Sequence, residues 1–313
     1  MYGYILRRLL AVIPVLLVVA VVIFGLLHLA PGDPASTIAG DSASTQEIEN
    51  IRGKLGLDLP LHRQFAIWSG NILRGDLGVS LYSNMPVSTL IAQRLEPTIS
   101  LALCTIVLAI ALALPLGVIA AWRARSWVDR MVMTVAVIGF SMPVFLIGYG
   151  LIYVFALKLH WLPVQGYTAL SEGLWPWLRS LILPSVALGL LYMALIARIA
   201  RASMIEVMAE DYIRTAYAKG LTTPVILLRH ALKNAAVPIA TIVGVGIAVL
   251  ISGVVITETV FNIHGLGRLT VDAIIRRDYP IIQGVILLFS MVYVVINLLV
   301  DLSYSLFDPR IRY

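Results

Sequence analysis

Six long apolar runs alternate with short polar stretches along the chain: Leu9 to Ala30, Thr98 to Trp122, Met131 to Leu157, Leu181 to Ile199, Val237 to Ile256 and Ile281 to Leu302. Each is close to the ~20 residues that a helix rising 1.5 Å per residue needs to cross about 30 Å of hydrocarbon. The pattern predicts an all-α membrane protein with six transmembrane helices. One polar stretch breaks the rhythm. Arg198 to Pro238 is basic and helical in pattern, yet it lies between two of the apolar runs.

Within that stretch Ala209, Ile213, Ala216 and Tyr217 follow helical spacing, and Glu210 and Arg214 form an i,i+4 opposite-charge pair on the other face. Gly220 stands where a left-handed C-cap belongs, Thr223 where an N-cap belongs, and Pro224 at a first helical position. Leu228, Ala231, Leu232 and Ala235 give a second helix its own apolar face, opposite Arg229, Lys233 and Asn234. Such a helix-glycine-helix hairpin either lies on the lipid surface or inserts into a groove on a partner.

The first polar stretch, Pro31 to Pro97, is too long for a plain connection. Gln46 to Leu55 has helical character, Leu61 to Leu73 is more strongly amphipathic, and Gly75-Asp76-Leu77-Gly78 reads as a turn. This region is expected to form an ordered cap, either a spacer or a docking surface for an external partner. Pro14, Pro115, Pro143 and Pro184 fall inside apolar runs, where each removes a backbone hydrogen bond and can bend its helix. Gly139, Gly148 and Gly150, and Gly244, Gly246 and Gly253, permit close approach between helices.

Composition agrees with the pattern. Apolar residues make up 60% of the 313, charged residues 13%, and the mean hydropathy is +0.93. The net charge of +6 is spread between apolar runs rather than gathered on one face, which excludes a nucleic-acid surface and points to orientation in the bilayer. With an even number of spans and the termini inside, 13 of the 23 Lys and Arg residues are inner, and five of the other ten fall in the long first loop, which the positive-inside rule discounts. Both termini are therefore expected to be cytoplasmic. The first run, preceded by Arg7 and Arg8, exceeds a signal-peptide core and lacks a small-x-small cleavage site, so it reads as a retained helix. Cys104 is the single cysteine, which excludes a disulfide framework or a multi-cysteine metal site.

The catalytic inventory is nearly empty: no His-Glu-x-x-His, no Gly-x-Ser-x-Gly and no Gly-x-x-x-x-Gly-Lys-Ser/Thr phosphate loop. The chain is not expected to hydrolyse ATP or to act as an enzyme. Glu258 and Asp301 are the ionisable residues nearest the hydrocarbon, both close to an interface, so no midplane carboxylate supports ion-coupled transport. His28 and Asn297 read as core residues.

The segment Glu210-Asp211-Tyr212-Ile213-Arg214-Thr215-Ala216-Tyr217-Ala218-Lys219-Gly220, followed by Arg229-His230-Ala231-Leu232-Lys233-Asn234-Ala235 and Pro238, resembles the loop of type I ABC importer permeases in the dipeptide/oligopeptide/nickel branch. Further motifs of that branch recur in order: Pro31-Gly32-Asp33-Pro34, Leu55-Gly56-Leu57-Asp58-x-Pro60, Gly75-Asp76-Leu77-Gly78-x-Ser80, Glu258-Thr259-Val260-Phe261, Arg277-Asp278-Tyr279-Pro280 and Asp308-Pro309-Arg310. Two departures stand out. Arg214-Thr215-Ala216 replaces the Glu-Ala-Ala of the general loop, as is usual in the peptide branch, and Ile263-His264 replaces a common Trp-Pro before Gly265-Leu266-Gly267.

The resemblance implies an N-terminal helix with an outer cap at 1–97 and a five-helix permease core at 98–313, with a coupling loop at 201–236. It implies half of a translocation pathway for short peptides, with nickel or another small solute as the alternative and a secondary carrier as a more distant one. The implied partners are a homologous second permease chain, two cytoplasmic ATPase subunits that bind ATP and Mg, and an extracytoplasmic substrate-binding protein, in the inner membrane of a prokaryote. It implies no cofactor or metal in this chain. The coupling residues it implies are Glu210, Asp211, Tyr212, Ile213, Arg214, Thr215, Ala216, Tyr217, Lys219 and Gly220.

Overall fold

A computed structural model describes residues 2–29, 35–36, 44–54 and 56–307. The motif segments at 31–34 and 308–310, and Leu55, lie outside the described residues, as do Arg310 and Arg312. Among the described residues there are helices and no strands, with one isolated antiparallel bridge between Val79 and Pro86. In chain order the helices are α1 (Tyr2–Leu29), α2 (Thr45–Lys54), α3 (Leu61–Leu73), α4 (Val87–Trp122), α5 (Trp127–Ser141), α6 (Val144–Lys158), α7 (Leu174–Met208) and α8 (Asp211–Ala218). They continue with α9 (Thr223–Asn234), α10 (Ala236–Gly253), α11 (Val255–Val260), α12 (Leu266–Arg276) and α13 (Tyr279–Phe307).

By length and apolarity α4, α7 and α13 each suffice to cross a membrane, and the bent pairs α5–α6 and α9–α10 raise the candidates to five. A shorter apolar segment, Leu10–Gly25, lies within α1. The third apolar run is therefore not one straight helix. Met142 takes an extended conformation (ψ 132°) ahead of Pro143, and α6 leaves at 100° to α5. The cause is local, because the proline ring disfavours a helical residue before it and has no N–H to continue the ladder. Pro14, Pro97, Pro115 and Pro184 sit inside continuous helices. α7 extends well past both ends of its apolar run, and beyond the C-terminal end Ser203 and Met204 are buried.

α4 and α7 form the spine. At their closest approach, a Cβ on Gly117 would lie 2.8 Å from Ala200 Cβ and 2.9 Å from the Ala197 carbonyl oxygen. Around them a central apolar core joins Leu101 and Ile106 of α4, Leu181 and Ile196 of α7, Ile152 of α6 and Leu250 of α10. Cys104 is half-buried beside it, in a packing role.

Two satellite clusters mark the ends of the bundle. At one end Val87 and Ile91 of α4 meet Leu266, Leu269 and Ala273 of α12, with Ile281 and Val285 of α13. Two of the short sequence motifs meet here. Arg277 takes a left-handed backbone (φ 55°), and the buried Asp278 carboxylate accepts hydrogen bonds from Ser80 Oγ at 2.5 Å and from the Leu81 N–H at 3.2 Å. The turn at Gly75 and Gly78, both with positive φ, is held by the Gly78 N–H donating to Asp76 Oδ1 at 2.9 Å. α3 joins α1 and α13 through Phe24, Phe65 and Trp68, whose Nε1 donates to Gln283 Oε1 at 3.1 Å.

Glu258 lies at the same end with 0% of its surface exposed. Its carboxylate accepts from the Arg268 N–H at 2.9 Å and from Thr98 Oγ1 at 2.8 Å, with the Gly267 N–H also directed at it. Thr98 Oγ1 in turn accepts from the Leu266 N–H at 2.8 Å. The N-terminus of α12 has no capping side chain of its own at Gly265, so two distant residues satisfy its free N–H groups. Gly265 is required by space, since a Cβ there would overlap both Glu258 Oε1 and Thr98 Oγ1.

Candidate functional site

The opposite end of the bundle carries the hairpin of α8 and α9. α8 begins at Glu210, whose extended backbone (ψ 147°) makes it the N-cap without a side-chain capping bond. It ends in a complete Schellman motif: the Gly220 N–H donates to the Tyr217 carbonyl at 2.9 Å, the Leu221 N–H to the Ala216 carbonyl at 3.3 Å, and Gly220 has φ +79°. The glycine expected from sequence therefore occupies the left-handed position.

The faces of the hairpin differ from the simple helical pattern. On α8, Ile213 (1% exposed) and Ala216 turn inward while Tyr217 remains exposed, and Ala209 precedes the helix and is exposed as well. On α9 Ile226, Leu227 and Ala231 are buried, Leu232 and the following Ala235 also pack inward, and of the expected face only Leu228, 62% exposed, turns outward. The reason is that Ile226–Ala231 is a π-helix, whose i→i+5 bonding widens the turn and rotates the following side chains. Thr222, not Thr223, is the N-cap of α9. Arg214 pairs with Asp211 at 3.1 Å rather than with Glu210, and both partners are exposed, so the pair adds little stability.

Packing anchors the hairpin firmly. Ile213 and Ala216 join Val118 and Ala121 of α4, Ala200 and Met204 of α7, and Ile226 and Ala231 of α9 in one apolar cluster. Asn234 Nδ2 donates to Tyr212 Oη at 2.8 Å and to the His230 carbonyl at 2.9 Å, tying the two limbs together. The outer surface presents Asp211, Tyr212, Arg214, Thr215, Tyr217 and Lys219, flanked by exposed Leu221, Val225 and Leu228. Aromatic and arginine side chains beside exposed aliphatic ones are the composition of a protein-docking surface. Of the ten residues singled out from sequence, Ile213 and Ala216 position the helix from within, and Glu210, Gly220 and the six outer-surface residues are exposed.

One element of this end was not singled out from sequence. The buried Asp129 carboxylate receives both Nε and Nη2 of Arg201, the latter at 2.7 Å, and the Arg125 N–H at 2.8 Å. This two-point bond ties the start of α5 to α7 close to the hairpin. The pattern Ser126-x-x-Asp129, a helix-capping signal, was its visible trace, with Ser126 Oγ accepting from the Asp129 N–H. Among the described residues no group of three or more His, Cys, Asp or Glu side chains is arranged to hold a metal ion.

Comparison with known proteins places this geometry. Residues 113–313 match the family described as binding-protein-dependent transport system inner membrane component, and residues 1–102 match its membrane-component N-terminal family. The chain is 56% identical over 310 residues to the "Probable peptide ABC transporter permease protein y4tP" of Sinorhizobium fredii, covering 99% of both chains. It is 45% identical over 314 aligned positions to the glutathione transport system permease protein GsiC of Escherichia coli, covering 100% of both. Among solved structures it resembles a chain of the MetNI methionine ABC transporter in an inward-facing crystal form, with a TM-score of 0.59 at 16% identity, over 71% of this chain and 97% of that one. That likeness extends the shared fold to the helical bundle. The chain belongs to the binding-protein-dependent transport system inner membrane components, as a type I ABC importer permease of the peptide branch.

Proposed function

We propose that the chain forms one half of the translocation pathway of an ATP-driven importer of short peptides, and that α8 is the helix through which ATPase subunits drive it. The peptide reading is supported by the names of the relatives, a peptide permease and a glutathione permease. In this reading α1, α4, α5–α6, α7, α10 and α13 are six spans with both termini cytoplasmic. Residues 1–97 form the first helix and outer cap, and 98–313 the permease core. A homologous second permease completes the pathway in the inner membrane, two ATPase subunits bind ATP and Mg, and an extracytoplasmic protein delivers the substrate.

The observation that carries the coupling role is mechanical: a short helix with a complete C-terminal stop, seated by Ile213 and Ala216 on the ends of α4 and α7, with an exposed outer surface. Shifting a two-state bundle from 1:99 to 99:1 takes about 5.5 kcal/mol of differential binding, so the element that delivers it must not bend. The exposed ring of Tyr212, Tyr217, Leu221 and Leu228 favours docking into a protein cleft over lying on lipid, because Asp211 and Glu210 would face the same surface.

Co-purification tests the assembly. A tagged chain extracted in mild detergent is expected to bring down a second permease and two ATPase chains; recovery alone would overturn the reading. Gly220→Val tests the lever. A Cβ at Gly220 meets nothing within 4 Å, so the variant should insert normally, but its left-handed backbone adds about 1–2 kcal/mol of strain. ATP hydrolysis by the assembly is expected to continue while uptake into proteoliposomes falls about tenfold, the population change that such an energy produces. Uptake per ATP equal to that of the unaltered protein would remove α8 from the coupling path.

A further inference from the structure

Arg198 on α7 is exposed and, among the described residues, has no hydrogen-bond or ion-pair partner, whereas Arg201 one turn away is held by Asp129. It lines a groove of about 180 Å³ between α5 and α7, walled by Met133, Val137, Phe140, Ala194 and Leu195. Arg130, Met133, Val137 and Phe140 follow one another at steps of three, four and three residues, so they occupy one stripe of α5. That stripe runs from a guanidinium into apolar side chains, and Arg130 is exposed. Trp122 and Trp127, both exposed, stand at the same end and mark a membrane boundary.

We infer that this groove binds an anionic phospholipid, with an acyl chain along Met133, Val137 and Phe140 and the phosphate between Arg198 and Arg130. Asp129, the carboxylate beside Arg130 on α5, is already held by the two-point bond from Arg201, so Arg198 in the groove lining and the exposed Arg130 at the head of the α5 stripe remain for an outside anion. A phosphodiester is ionised at every physiological pH and accepts two parallel N–H bonds from one guanidinium. An apolar trough continuous with the bilayer and closed by cations at the headgroup level fits that amphiphile, whereas a water-borne anion would leave the trough unused. The inference needs only the membrane placement of α5 and α7, and stands whether or not the chain imports peptides.

The test uses the full chain with whatever subunits accompany it, incorporated into nanodiscs of equal phosphatidylglycerol and phosphatidylcholine, re-extracted, and read by native mass spectrometry for retained lipid. About a tenfold excess of phosphatidylglycerol over phosphatidylcholine is expected, in keeping with two arginines near an anionic surface. Arg198→Gln should reduce the excess to below about twofold, and Arg198→Lys should keep most of it. Ala194→Phe, which fills the trough and leaves both arginines, should also lose it. No phosphatidylglycerol excess in the unaltered protein, or the same excess in Arg198→Gln, overturns the inference. It is equally overturned if Arg198→Gln releases the second permease, or selectively impairs uptake of peptides with a free carboxylate, while retained lipid is unchanged.

Discussion

Gly117→Val is expected to force α4 away from α7 and to leave little folded chain in the membrane. The position offers no slack, since even a single methyl would sit 2.8 Å from Ala200 Cβ and 2.9 Å from the Ala197 carbonyl oxygen. The second obstacle is backbone, which no rotamer change moves aside. The two helices must separate, and separation here disturbs both the central core and the cluster that seats α8. Overpacking of a tight interior commonly costs 1–3 kcal/mol, and with a backbone atom as the obstacle the loss should reach about 3 kcal/mol or more. Thermal unfolding of the detergent-solubilised chain measures it. Gly150→Val is the control, because a Cβ there meets nothing within 4 Å, and it should melt with the unaltered chain. Equal melting of Gly117→Val and the control would show that α4 and α7 are not packed as described.

Glu258→Ala should be nearly as damaging, for a polar reason. The buried carboxylate closes the N-terminus of α12, and its removal strands the N–H groups of Gly267 and Arg268 and the Thr98 hydroxyl in a place that water does not reach. Each unsatisfied buried donor costs about 1–3 kcal/mol, so a loss of about 3–5 kcal/mol is expected. Glu258→Gln keeps one acceptor oxygen and the volume but turns an NH2 group toward donors, and should lose about half as much. Hydrogen exchange along 258–276 would localise the effect. Unchanged protection of α12 in Glu258→Ala would mean that the helix is capped in some other way.

Both residues show how far sequence reading reaches. The apolar runs located the long helices of the bundle, and the bounds of α3 follow directly from its amphipathic pattern. Glu258 stood out as a charge near hydrocarbon, but its role depends on Thr98, distant in the chain, and no local pattern reports that partnership. The same holds for Asp278 and Ser80, two motif residues far apart in the chain that a buried hydrogen bond joins. In the hairpin, Gly220 and the helix it terminates were legible because a left-handed stop has a strong local signature. The face of α9 was legible in Ala231, Leu232 and Ala235 but not at Leu228, whose place Ile226 and Leu227 take, because helical periodicity assumes 3.6 residues per turn and the π-helix at Ile226–Ala231 departs from it. The α5–α6 break was half legible: Pro143 marks where a bend falls, but no local pattern reports its 100° angle, which brings Gly148 of α6 against Val260 and Phe261, distant in the chain.

The bond between Asp129 and Arg201 has a mechanical consequence. It fastens the near end of α5 to α7 and so to the seat of α8, while the far end of α5 stops at Pro143. In the coupling role proposed for α8, a push on the hairpin would reach α5 as a rigid arm whose pivot is that proline. At 1.5 Å per residue the 15-residue arm is roughly 22 Å long, and a swing of about 10° displaces its fastened end by roughly 4 Å. An arginine fork at one end and a missing N–H at the other give the helix the parts of a crank.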